Sequence, residues 1–338
     1  MKNLFFSISA VCVLGVSFSQ IEDAGPVNNP ADGIIDGVVL KEHIPTKQMI
    51  QYEHVREADV MWSKRVWQTI DLREKMNHTL YFPLDEITPA GDWIKHGERW
   101  SLWTVIRHNI ISGKLTIFCP FNPAYQNSVD GDQLKYPIVP QPGLTYYTDS
   151  IYKKFIQDYQ MLGKLGPQED TPLSNEYGED SMIMLPDGSY ENVYPAREME
   201  WLTSKDIIQY RIKEEWFFDK ERSVLDQRII AMAPVVYIKT TDSQGNESIG
   251  GTRELFWLYF PECRFVFNNY FSYNDKNDAQ WMSFDDLFWK RRFTAFIYKE
   301  SNGFDRKIES YKSGIDALRE SEKIKEEIRT FEHDVWDF

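Results

Sequence analysis

Between Ile207 and Phe260 the sequence abandons any helical period. IIQYRIK alternates apolar and polar side chains, RIIAMAPVVYIK is a long apolar run, and RELFWLYF is rich in residues that suit a pleated surface. The connection TTDSQGNESIGGT supplies three glycines with Asp and Asn, residues that turn a chain back on itself. Strands joined by short turns pair antiparallel, so this region dictates a sheet. Pro234 lacks a backbone N–H and moves its strand toward an edge or a bulge. FTAFIYKE, from Phe293 to Glu300, returns to strand; before it, Ser283 and Asp286 form a capping-box-like start to a short helix.

The first half has another rhythm. In VREADVMWSKRVWQTIDLREKMN the apolar positions Val55, Ala58, Trp62, Val66 and Ile70 recur at steps of three and four, which predicts a helix. Met61 and Trp67 widen its apolar stripe, Arg56, Glu57, Lys64, Arg65 and Gln68 fall mostly on the opposite side, and Asp71 and Lys75 are four apart. SLWTVIRHNIISG predicts a second helix capped by Ser101 and stopped at Gly113, followed by a strand in LTIFC. A third helix starts near Thr148 or Ser150, with Ile151, Phe155, Tyr159 and Leu162 in line. From Pro167 to Tyr194 the chain reads as an acidic loop punctuated by proline and glycine.

Near the C-terminus, Ala317, Ser321, Ile324, Ile328, Phe331 and Val335 alternate steps of four and three along a long helix. Such a seam either docks on its own domain or pairs with another subunit. The fold expected is α+β: an antiparallel sheet mainly from the second half, packed with helices, and a long C-terminal helix. The expected organisation is a signal peptide over 1–19, an extended arm over 20–51, a helix-rich part over 52–200, and the sheet plus the C-terminal helix over 201–338.

MKNLFFSISAVCVLGVSFSQ has one positive charge at Lys2, an apolar run, and small residues before a cleavage point between Ser19 and Gln20, the pattern of a secretory signal peptide. Cys12 lies in that run without the small residue immediately before it that lipidation requires. No later run approaches the roughly 20 apolar residues needed to span a bilayer, so direct membrane insertion is not expected. From Gln20 to Gln51, Pro, Gly, Asn and Asp are frequent and no apolar period is sustained, so this arm cannot bury enough surface to fold alone. An adjacent subunit or another partner is its expected support.

With 52 acids against 38 bases the net charge is -14. Nucleic acid and anionic lipid both require clustered cations, so neither is an expected partner. An oxidising compartment would allow Cys119 and Cys263 to pair, and two buried free thiols are the alternative.

Catalytic devices are scarce. The six histidines show no i, i+4 pair, the cysteines form no CxxC, and GxSxG, GxxxxGK[ST] and GxGxxG do not occur. No metal, cofactor or catalytic residue is therefore expected. Asp285–Asp286 and Glu326–Glu327 are adjacent acids, but neighbouring helical side chains diverge by about 100° and do not converge on one bond. A hydrolase would have to assemble distant acids with His78 or His96, and a glycan-binding protein would have to expose several coplanar tryptophans. Asp149-Ser150-Ile151 and Asp180-Ser181-Met182 resemble acceptor sites for O-linked glycans in exported proteins of gliding bacteria, making Ser150 and Ser181 candidates for modification.

VREADVMWSKRVWQTIDLREKMN resembles the signature segment of the gliding-motility GldN family, called PorN in the type IX secretion system. IKEEWFFDKERSVLDQRIIAMAPV, NDAQWMSFDDLFWKRRFTAFIYKESN and GIDALRESEKIKEEIRTFEHDVWDF are similar to its later blocks, and the GldO paralogue shares them. The resemblance implies a non-enzymatic periplasmic protein. It would form a ring with an outer-membrane lipoprotein of the GldK or PorK type, linked to an inner-membrane motor component of the GldM or PorM type. Arg56, Lys64 and Arg65 are then candidates for a partner-contact face, on which charge reversal would weaken assembly without unfolding the chain.

Overall fold

The computed structural model describes residues 49–336, except 88–92, 95–99, 124–130, 167–170, 175–179, 185–189, 196–198, 242–246, 273–276 and 278–281. The expected leader, its Ser19–Gln20 junction and nearly all of the arm lie outside the described residues. In chain order the first elements are β1 (Val60–Asp71), α1 (His78–Tyr81), β2 (Glu86–Ile87), β3 (Trp93–Ile94), α2 (Leu102–Ile111), β4 (Ile117–Phe118), β5 (Pro137–Ile138) and α3 (Ser150–Asp158). Then come β6 (Gly163–Leu165), β7 (Met182–Met184), β8 (Tyr190–Asn192), β9 (Met199–Trp201), β10 (Ile207–Asp219), β11 (Val224–Thr241), β12 (Glu247–Glu254) and β13 (Trp257–Tyr259). Last are α4 (Phe260–Phe267), β14 (Phe271–Ser272), β15 (Met282–Ser283), α5 (Phe284–Trp289), β16 (Phe296–Glu300) and α6 (Ile315–Trp336).

The predicted sheet is present and is built on the β10–β11 hairpin. Its antiparallel order is β16-β1-β10-β11-β13-β4-β5, with β12 also paired to β11. Pro234 lies in an interior strand, not at an edge. Its missing N–H falls where the far neighbour of β11 changes from β13, opposite Ala231 and Met232, to β12, opposite Val235 and beyond. That break does the work of the expected bulge.

The predicted first helix is instead strand β1, paired with β10 on one side and β16 on the other. Trp62, Val66 and Ile70 are spaced by four, which aligns them on one face of a helix and equally on one face of a strand. The spacing therefore did not discriminate. Composition does, because Val60, Val66, Thr69 and Ile70 are β-branched and Trp62 and Trp67 are aromatic. Asp71 consequently bonds Arg73 at 2.6 Å, not Lys75. So 52–200 is less helical than its composition suggests, and it gives β1, β4 and β5 to the sheet.

The second helix is as read: Ser101 Oγ accepts from the Thr104 N–H at 3.2 Å, and Gly113 ends it with a φ of 76°. In α3 the Asp149 carboxylate caps the Ile151 and Tyr152 N–H groups. Here the buried stripe is turned by one residue, because Tyr152 and Ile156 are buried while Ile151 and Phe155 are exposed.

Helices cover one sheet face, where the core falls into two parts. Ile70, Tyr210, Ile212 and Met232 pack with side chains of α2, α3, α4 and α5. Val66 and Ile297 pack with Ile324 and Ile328 of α6, flanked by Trp62, Trp216 and Ala317. The C-terminal seam thus docks on its own domain. Burying two isoleucines contributes roughly 3–6 kcal/mol to holding α6.

A polar seam separates the two parts. Glu214 is fully buried and accepts from Gln68 Nε2 at 2.8 Å, Trp216 Nε1 at 3.0 Å, and Arg291 Nη1 and Nη2 at 2.8 and 3.1 Å. On the opposite sheet face, Trp67 packs with Trp257 and Tyr298. Its ring lies 5.6 Å from Lys213 Nζ and 4.6 Å from Lys299 Nζ, and its N–H donates to Asp132 at 3.1 Å. Gly131 lets that loop approach so closely, since a Cβ there would sit 2.4 Å from Pro120 Cα.

Candidate functional site

The residues singled out for partner contact do not form one face. Lys64 and Arg65 are consecutive in β1 and point to opposite sides of the sheet. Lys64 pairs with Glu300 at 2.6 Å, and Arg65 pairs with its cross-strand neighbour Glu215 at 2.9 Å. Arg56 precedes the strand and is held by Asp59 at 2.7 Å and Glu221 at 3.3 Å. All three are therefore tied to their own chain, and Arg56 is the most exposed of them.

Cys119 and Cys263 are free, buried thiols within the same apolar core. Burial pushes both above the ordinary thiol range, Cys263 furthest. They share the character of buried apolar side chains, not of a reactive pair.

The acids and histidines do not converge. Asp285 is locked by the buried Arg264 guanidinium at 2.7 Å, while Glu326 and Glu327 meet Arg329 and Lys323 on the outer face of α6. His78 packs edge-on against Phe82 with ring centroids 5.3 Å apart, and His96 lies outside the described residues. Among the described residues no group of three or more His, Cys, Asp or Glu side chains is arranged to hold a metal. Buried Asp85 takes a hydrogen bond from Thr104 and one from Arg107 at 3.4 Å, and it accepts from the Ser204 N–H at 3.2 Å, a set that ties α2 to the start of β10. Among the tryptophans whose side chains are described, the exposed one is Trp289, and it stacks on Tyr52 at 5.3 Å, so no coplanar row of open rings is seen there.

Three surface features have no counterpart in the sequence expectations. The first is a clamp on the chain entering β1. Tyr52 lies over two guanidiniums, 4.4 Å from Arg264 and 4.9 Å from Arg228, and those arginines also donate to the Ile50 and Glu53 carbonyls at 2.7 Å each. A cavity of about 370 Å³ opens beside it. The last residues of the expected arm are therefore bound to their own domain.

The second feature is a projecting finger. β6 and β9 pair as a neck, and the chain between them carries the β7–β8 hairpin. Leu173 is hydrogen-bonded beside it, its N–H to the Val193 carbonyl and its carbonyl to the Ser181 N–H. Met182, Ile183 and Met184 are 58%, 59% and 64% exposed, and Tyr190 is 69% exposed. Adjacent strand residues face opposite sides, so Met182, Met184 and Tyr190 open on one face and Ile183, beside Glu191, on the other. Ser181 stands at its base. The short apolar run MIM was hidden by the surrounding Pro, Gly and acids.

The third is a groove of about 400 Å³ where the terminal strand β5 meets α3, with Val139, Ile151 and Phe155 exposed along it. Ser150 lies exposed at its rim. The rotated stripe of α3 opens it.

The chain is thus an α+β body whose helices cover one sheet face, whose buried charges are committed to internal pairs, and which leaves apolar side chains open on the finger and in the groove. The chain matches the family of the gliding motility associated protein GldN over residues 55–337 and belongs to that family. It is thus a component of the gliding-motility machinery. No curated protein matches the sequence. No helix among the described residues is long and apolar enough to cross a membrane.

Proposed function

We propose that this chain is a non-enzymatic, periplasmic structural component of the type IX secretion and gliding machinery. It assembles into a ring with itself and an outer-membrane lipoprotein of the GldK or PorK type, and it connects to an inner-membrane motor component of the GldM or PorM type. The observation that carries this reading is the finger: a chain of the GldN family projects Met182, Ile183, Met184 and Tyr190 away from its own core. Apolar side chains on both faces of a thin hairpin gain nothing from water, and their burial is worth roughly 25 cal/mol per Å² once a partner covers them.

Cross-linking mass spectrometry on intact envelopes tests the reading. It should return links between this chain and an outer-membrane lipoprotein, together with links between copies of the chain. A chain recovered without neighbours, or one that sustains secretion as a monomer, would overturn it.

A further inference from the structure

The finger and the groove are open at once on the same chain, and they are chemically complementary. The stretch from Gly166 to Pro195 contains seven acids, Glu169, Asp170, Glu176, Glu179, Asp180, Asp187 and Glu191, and no lysine or arginine. Exposed Lys135 is in the groove's lining and exposed Lys154 precedes Phe155 on α3, against one exposed acid, Asp158, on that helix; the lining's own acid, Asp149, is buried and committed to capping α3. The groove's volume of about 400 Å³ admits two or three large apolar side chains, and one face of the finger presents three, Met182, Met184 and Tyr190, on a hairpin only three residues long per strand.

Resting on the reading of the chain as a self-assembling component, we infer that the β7–β8 finger of one copy docks in the β5–α3 groove of a second copy. Met182, Met184 and Tyr190, which share one face of the hairpin, enter against Val139, Ile151 and Phe155, and the finger's Asp180 and Glu191 bring negative charge to the groove's lysines. A finger-to-groove contact is heterologous: each copy keeps a free finger at one end and a free groove at the other. Such a contact adds copies in one direction and closes a ring when the rotation per copy divides a full turn. It also gives the exposed Ile151 and Phe155 of α3 something to pack against.

The test uses the purified full chain without other proteins. Sedimentation from about 1 to 100 μM should show association that weakens at least about tenfold in Met184→Asp and equally in Phe155→Asp, with the double variant no weaker than either. Far-UV circular dichroism and thermal midpoints should match wild type, since neither side chain is in the core. Differently tagged Met184→Cys and Val139→Cys chains, mixed and oxidised, should form a disulfide with each other and not with themselves. A Met184→Cys homodimer would show finger-to-finger pairing and overturn the inference. So would loss of association in the finger variant alone, which places another surface in the groove's role. Association unaffected by either substitution would overturn the docking mode while leaving self-assembly intact. A wild-type chain that stays monomeric to 100 μM would also end the inference, with the lipoprotein contact still open to the envelope cross-linking above.

Discussion

Trp62 of β1 and Phe331 of α6 stack with ring centroids 4.7 Å apart and planes inclined by 25°. Phe218 meets the same phenylalanine edge-on at 6.5 Å. The last helix is thus held at its far end by an aromatic contact and along its middle by Ile324 and Ile328. Trp62→Ala and Phe331→Ala should each lower stability by about 2 kcal/mol, with a coupling of about 0.5–1.5 kcal/mol in a double-mutant cycle read from urea unfolding. Additive losses would mean that the stack itself contributes nothing.

The Glu214–Arg291 pair sets a second expectation. Arg291→Met leaves a fully buried carboxylate with only Gln68 and Trp216 as donors, and it should cost about 3 kcal/mol. Replacing both partners, Glu214→Leu with Arg291→Met, should recover much of that loss. If the double replacement is as unstable as the single one, the uncompensated charge is not the cause.

Charge reversal on β1 should separate two neighbours. Lys64→Glu sets an acid against half-buried Glu300 and should destabilise the fold by about 1–2 kcal/mol. Arg65→Glu faces Glu215 in water and should change stability by less than about 1 kcal/mol. Equal effects in thermal unfolding would contradict the assignment of the two side chains to opposite faces.

Alkaline pH should unfold the chain through its buried phenols. Desolvation raises the pKa of Tyr152, of Tyr298 and of fully buried Tyr210 well above that of free tyrosine. Because the folded-state values are raised, their contribution to stability is complete below about pH 10, where unfolded tyrosine ionises, and it is lost as pH rises beyond that point. The urea midpoint should therefore fall steeply above about pH 10. Phenolate absorbance should show these three rings ionising together with unfolding. Independent ionisation in the native state would count against their burial.

Cys119 and Cys263 should resist a thiol reagent in the native chain and react in denaturant without prior reduction. A requirement for reductant would show that they had bonded.

The sheet could be read from sequence because its strands announce themselves: a long alternating run, a long apolar run and a glycine-rich turn leave few other folds. The C-terminal helix was legible for the same reason, since Ser321, Ile324 and Ile328 mark a face by their own period. β1 was misread because a spacing of four satisfies both geometries, and only its β-branched content gives the difference. The partner-contact residues were chosen on that helical picture, and they scattered when the segment proved extended. The finger and the groove could not be read at all. Both depend on which side chains the fold leaves uncovered, and for Ile151, Phe155 and Ile183 that is decided by neighbours distant in the chain.

The seam of Gln68, Glu214, Trp216 and Arg291 partitions cooperativity as well as space. Side chains beyond it, on α6, make their apolar contacts with Ile297 of β16 and with the outer ends of β1 and β10, whereas Phe296 and Tyr298 hold β16 to the opposite sheet face. That peripheral helix can open as one unit at a free energy below that of global unfolding, while the larger core stays closed. Amide exchange along α6 should accordingly proceed as a group, faster than in α2, and a pull on the C-terminus would peel this helix away before straining the larger core.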